Sequence, residues 1–287
     1  MPVLASPPVP AVRAITVRAD GLHLSGLLCE PVSQPPRALV VALHGAGMRA
    51  GYFHGQAHPS LSLLTLGASL GFTVLALDRP GYGDSSADAP HGQYLAEQSA
   101  TLRAALTDTA GRYATGAGIF LLGHSFGGQL ALTFAADGTE ERLIGLDVSG
   151  CGHRFAAGSE SVLGSPGGRA AWQRHWGPLR LYPATTYTTS RALVAPVPAR
   201  EMRAALHWPS AFRDLAPRIR VPVRLTLAEH ERWWRHDDQA LAELTAALAT
   251  APVQVTRQPD AGHNISLGWA ARSYHLRALE GFAALLV

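Results

Sequence analysis

Ile119-Phe120-Leu121-Leu122-Gly123-His124-Ser125-Phe126-Gly127-Gly128 is the stretch that decides the fold. An apolar run of strand length leads into a serine flanked by glycines, and a helical pattern leaves it from Phe126 to Ala136. A G-x-S-x-G motif in a strand-turn-helix setting is a nucleophile elbow, in which a sharp, strained turn exposes the serine hydroxyl. Small neighbours are required where the helix passes close to the strand. The helix N-terminus also presents a positive dipole end to an oxyanion forming beside Ser125.

Outward from the elbow, strands and helices alternate. Upstream, Ala14 to Ala19 and Leu22 to Cys29 are β-rich runs joined by Asp20-Gly21, the signature of a tight hairpin at a sheet edge. Ala38 to Leu43 reads as a buried parallel strand ending in His44-Gly45-Ala46-Gly47. A helix near Ser60 to Leu70, a strand Thr73 to Leu77, and a helix near Leu95 to Tyr113 follow. Downstream come a strand Leu143 to Val148 and, after an interruption, a strand Val221 to Ala228, a helix Asp237 to Ala249, a strand Val253 to Arg257 and a last helix near Ser266 to Val287. Strands alternating with helices predict a parallel sheet with right-handed crossovers. Between Gly150 and about Pro217 the rhythm breaks: glycines and prolines crowd in with Trp172, Trp176, Tyr182, Tyr187 and Trp208. This stretch is an insertion and not a further βα unit.

A serine hydroxyl needs an imidazole to take its proton, and the imidazole needs a carboxylate to hold its tautomer. His263, in Asp260-Ala261-Gly262-His263 just beyond the strand at Val253, lies where a loop would meet Ser125 at the carboxyl edge of the sheet. The acid is assigned to Glu231 in Ala228-Glu229-His230-Glu231, with Glu229 and Asp147 as alternatives. The amides of Phe126 and Ala46 are the expected oxyanion donors, with Gly47 next in line. Gly47, His124, Trp172, Trp176 and Trp233 are expected to face the substrate. His54 and His58 have the i, i+4 spacing of a metal pair, but Gly55 and Pro59 argue against a helix and no carboxylate accompanies them, so no metal is expected.

Composition narrows the classes further. With 47% hydrophobic and 16% charged residues, the 287-residue chain has material for a large core and none of the bias of a disordered protein. All 24 basic residues are arginines, which excludes Schiff-base chemistry and a P-loop lysine. The net charge of +3 is spread along the chain without a basic cluster, so no nucleic-acid partner is expected. Two cysteines, Cys29 and Cys151, cannot build a disulfide framework. Met1 to Pro10 lacks a basic start and apolar run, and no stretch approaches the ~20 apolar residues of a membrane span. A cytoplasmic chain with no membrane partner is the expectation.

Taken together, His44-Gly45-Ala46-Gly47, Asp78-Arg79-Pro80-Gly81-Tyr82-Gly83 and Gly123 to Gly127 resemble, in order, the HGxG loop, the post-strand loop and the elbow of the α/β-hydrolase superfamily. The resemblance runs from about Ala14 to the C-terminus. It implies an eight-stranded, mostly parallel sheet flanked by helices, with residues 1–149 and 218–287 as the core and 150–217 as a helical cap after the sixth strand. Ala228 and Glu231 stand where family members usually carry glycine and aspartate. Ser125 stands where epoxide hydrolases and haloalkane dehalogenases carry a nucleophilic aspartate. The expected activity is cofactor-free cleavage of an ester, thioester or amide of a small apolar or aromatic molecule through an acyl-Ser125 intermediate. Acyl transfer or macrocyclisation uses the same three side chains, and a ligand-binding receptor with slow turnover uses the same fold.

Overall fold

Strands form where the sequence is continuously apolar. The computed structural model describes residues 10–164 and 168–286. Val287 and all of the leader reading but Pro10 lie outside those residues. β3 (Leu39–Leu43), β4 (Thr73–Leu77) and β5 (Ile119–His124) are buried at every position, as strands covered on both faces must be. β6 (Leu143–Ser149), β7 (Val223–His230) and β8 (Val253–Gly262) extend the sheet, and β3 to β8 run parallel. β1 (Arg13–Ala19) and β2 (Leu22–Cys29) form the antiparallel edge, with Asp20 and Gly21 at φ 47° and 80°. Two positive φ angles make the turn whose twist matches that of the strands. The order is β1-β2-β4-β3-β5-β6-β7-β8.

Helices cover both faces: α1 (Leu63–Ser69), α2 (Leu95–Arg112), α3 (Phe126–Asp137), then α4 (Ser159–Gly164), α5 (Gly168–Trp176), α6 (Thr186–Thr189) and α7 (Ala199–Leu215) between β6 and β7, and finally α8 (Asp238–Ala247) and α9 (Ala271–Ala284). Alternate residues of β3 feed opposite sides of the sheet. Leu39, Val41 and Leu43 join α2 and α3 in one apolar cluster, while Val40 and Ala42 join α1 and α9 in the other.

The ends of β8 and of the last helix differ from the sequence reading. β8 runs on to Gly262, five residues past Arg257, because it stays paired with β7 across a register shift, to His230 opposite Gly262. The last helix begins at Ala271; Ile265–Leu267 is a single tight turn that Gly268, in extended conformation, ends. Within 150–217, α7 continues through Pro209, held by the fully buried Trp208, whose indole N–H donates to the Gly152 carbonyl at 2.7 Å.

β3 has β4 on one side and β5 on the other, so the chain winds away in opposite directions from it. The loops leaving β3 and β5 part at that point, opening a crevice at the carboxyl ends of the strands. Residues of α4, α5 and α7 close over it and share its lining with Ser125.

Candidate active site

Ser125 occupies the turn between β5 and α3 at φ 53°, ψ −117°, a strained conformation for a residue with a side chain. The turn is possible because its neighbours lack side chains. A Cβ at Gly123 would lie 2.7 Å from the Gly128 Cα, and one at Gly127 would collide with the Leu43 carbonyl. The Ser125 Oγ is thereby brought 3.2 Å from His263 Nε2.

His263 follows directly on β8 and is almost fully buried. Its Nδ1 is 2.8 Å from Glu231 Oε2, an arrangement that puts the ring proton on Nδ1 and leaves Nε2 to accept from Ser125. The other Glu231 oxygen accepts the amides of Arg232 at 2.9 Å and Trp233 at 2.8 Å. Burial alone would raise the Glu231 carboxyl, but the adjacent His263 and these hydrogen bonds outweigh it and hold the pKa below the usual range.

The other two carboxylates considered for this position are engaged elsewhere. Glu229 accepts the Asp260 amide at 2.8 Å, bracing a residue at φ 51° in β8. Asp147 accepts from the Tyr274 hydroxyl at 2.9 Å beside Arg224, and burial pushes its carboxyl up to about 7.

Phe126 and Ala46 both line the cavity beside Ser125. Gly47 does not, contrary to expectation: its amide donates to the Tyr82 hydroxyl at 3.0 Å and its carbonyl accepts from Ala195. Trp172 and Trp176 also stand outside the cavity. Trp172 is 42% exposed, and Trp176 packs into an aromatic cluster with Tyr182 and Tyr187 at 5.2 and 5.1 Å between ring centres. Trp233 does line it, as does His124. His124 stacks on Tyr52 at 4.8 Å and contacts the Ser149 hydroxyl at 3.1 Å. Burial, with His263 and His175 nearby, holds its pKa far below the usual histidine range, so it stays neutral beside His263.

The loop after β3 is fixed from beneath. His44 donates from Nδ1 to the Gly45 carbonyl at 2.9 Å and accepts the Arg79 amide on Nε2 at 3.1 Å. Burial and the Arg79 charge keep it neutral. Arg79 Nε holds the His44 carbonyl at 2.8 Å, while its other nitrogens form a two-pronged pair with Glu201 of α7 at 2.6 and 2.9 Å. Tyr82 donates to the same Glu201 at 2.8 Å. This buried network ties α7 to the loop that carries Ala46, and composition did not announce it: the acid lies in the insertion, more than a hundred residues from its partner. Asn264, Gln129 and His175, which line the cavity, were likewise not singled out.

With the open space at its mouth counted, the cavity takes in about 920 Å³. Its walls are largely apolar, with Met48, Phe155, Leu163 and Trp234 among them. Among the described residues no group of three or more His, Cys, Asp or Glu side chains could hold a metal ion, and no helix is long and apolar enough to cross a membrane.

The sheet order and the serine on the turn after its fifth strand define the class. The chain belongs to the alpha/beta hydrolase family, whose sequence pattern matches residues 40–285. It is 32% identical to the monoglyceride lipase of Mus musculus over 123 residues, 42% of this chain and 37% of that enzyme. The human monoglyceride lipase is 31% identical over a stretch of the same length. The match thus spans little more than a third of these relatives. Among solved structures, a soluble variant of Saccharomyces cerevisiae monoglyceride lipase superposes with a TM-score of 0.73 at 14% identity, covering 99% of this chain and 98% of that one. A thermostable carboxyl esterase from Bacillus coagulans superposes at 0.70 with 18% identity, covering 96% and 99%.

Proposed function

We propose that the chain is a serine hydrolase that cleaves carboxylic esters of small, largely apolar molecules, with residues 150–217 as a cap over a core of 1–149 and 218–287. The observation that carries this reading is the continuous line from Ser125 Oγ to His263 Nε2 at 3.2 Å and from His263 Nδ1 to Glu231 at 2.8 Å, opening on an apolar cavity. The monoglyceride lipases and the carboxyl esterase among its relatives and structural neighbours supply the ester as the bond to test first.

In this mechanism Ser125 Oγ bonds to the ester carbonyl carbon as its proton passes to His263 Nε2. The oxyanion takes hydrogen bonds from the Phe126 and Ala46 amides. Tyr82 occupies the Gly47 amide, which leaves Ala46 as the donor from that loop. Collapse breaks the bond to the alkoxide, which leaves with the proton from His263. Water then gives a proton to His263 and its oxygen to the acyl carbon, and the acid departs as Ser125 regains its proton. Glu231 stays ionised and holds the imidazolium. Two free, buried thiols, Cys29 and Cys151, suit a reducing compartment, and we assign the chain to the cytoplasm.

A fluorophosphonate probe should label the wild-type protein on Ser125 and leave Ser125→Ala unlabelled and inactive on a panel of short and medium-chain esters. Labelling that survives in Ser125→Ala overturns the assignment.

A further inference from the structure

Asp147 and Ser149 alternate along β6, so their side chains leave the same face of the sheet, and Ser149 stands opposite His124 of β5 in the pairing register. α9 packs on that face and brings Tyr274 against both: its hydroxyl donates to Asp147 Oδ1 at 2.9 Å and accepts from Ser149. The Ser149 oxygen in turn lies 3.1 Å from His124 Nδ1. Each of these side chains is at most 1% exposed. The steps of ester cleavage engage none of them.

A hydroxyl has one proton to give and a carboxylate has none, and that fixes the direction of the whole chain. Asp147 has Arg224 Nε 3.4 Å from its other oxygen, and burial pushes its carboxyl up to about 7, so above that pH it can only accept. Tyr274 spends its proton on Asp147 and is left to accept from Ser149. Ser149 spends its proton on Tyr274 and is left to accept from His124. His124, a neutral ring with two possible proton positions, must then carry its proton on Nδ1.

The orientation of that ring is felt next door. The His124 and His263 rings are 4.8 Å apart between centres, and a Cβ at Gly150 would lie 2.7 Å from His124 Cε1 and 3.0 Å from His263 Cε1, so both rings press on one residue that has no side chain. His44 and His175, the other imidazoles close to His124, are kept neutral chiefly by burial. Moving the His124 proton to the other ring nitrogen would reverse the ring dipole beside His263.

We propose that Asp147 and Tyr274 are positioning residues for the base: acting through Ser149, they fix the His124 proton on Nδ1 and with it the dipole that His124 presents to His263. The effect on the base rests on the reading of His263 as the group that takes the Ser125 proton; the position of the His124 proton does not.

Nitrogen-15 NMR of the histidine rings at pH 9 reads that proton directly and without substrate, the His124 signals being assigned from their loss in His124→Gln. Wild-type protein should show one ring form, protonated on Nδ1 and bare on Nε2. Tyr274→Phe should free Ser149 to donate to His124 instead, giving a mixture of the two forms or the Nε2–H form alone. Ser149→Ala breaks the chain at its other end if loss of the Tyr274 hydroxyl prevents folding. In either variant the acidic limb of kcat/KM should move by about half a pH unit, the scale of one reversed dipole at this distance. A wild-type ring protonated on Nε2, or a ring form unchanged in both variants, overturns the chain. A changed ring form with an unmoved acidic limb overturns its action on His263. If wild-type protein cleaves no ester, the base assignment falls, and the His124 spectra still decide the chain.

Discussion

At the residue scale, the division of labour between Glu231 and Glu229 is the sharpest prediction. The two side chains are two positions apart, but only Glu231 reaches His263. Glu231→Gln keeps the shape of the side chain while removing the charge that stabilises the imidazolium, and should lower kcat by about 10³–10⁴-fold. Glu229→Gln removes only a brace on Asp260 and should change kcat by no more than a few-fold. Steady-state rates on any ester that wild-type protein turns over check both, and equal losses in the two variants would refute the assignment. The same pair explains what was legible. Ser125 and His263 sit in local signals, an elbow between strand and helix and a glycine-containing loop after a strand. The acid is joined to His263 only through tertiary contact, so the sequence reading kept three carboxylates open.

At the scale of elements, the contact between α7 and the loop after β3 depends on the Arg79–Glu201 pair, both side chains being 1% exposed. A buried pair adds little compared with a well-packed apolar one, but removing one partner strands the other charge. Arg79→Met should therefore lower unfolding stability by about 3–5 kcal/mol in urea, and Arg79→Met/Glu201→Met should recover most of that loss. Additive losses in the double variant would show that the charges are not coupled. The strand-helix alternation of the core was legible because its strands are apolar on both faces and short enough to be told from helices. Placement within the insertion was not. Trp172 and Trp176 read as candidates for the substrate wall, yet α5 turns Trp172 toward solvent and Trp176 toward Tyr182 and Tyr187. Aromatic content reveals that a surface is covered, and packing decides which side chain covers it. The extra length of β8 had the same origin, since the strand pairs with β7 on either side of Asp260, at Gln258 and Gly262, and Glu229 takes the Asp260 amide between them.

At the scale of the whole molecule, histidine burial sets the response to acid. His44, His124, His175 and His275 have their pKa values lowered first of all by burial, His175 and His275 to about 3. In the unfolded chain each would titrate near 6.5. Between those limits the unfolded state binds more protons than the folded one, so stability is fully present above about pH 6.5 and is lost as pH falls. Asp147, raised to about 7 by burial, works in the opposite sense, since its protonation as pH falls favours the folded state. It offsets one of the four histidines. His275 is the cleanest to remove, because it packs in α9 away from the cavity lining and its one hydrogen bond, to the Ser266 hydroxyl at 3.0 Å, can be kept by an amide. His275→Gln should flatten the dependence of unfolding free energy on pH between about 4 and 6 by one proton, about 1.4 kcal/mol per pH unit. Urea unfolding at half-unit intervals of pH measures that slope, and a slope in His275→Gln equal to that of the wild type would show that burial of this ring does not contribute to acid sensitivity.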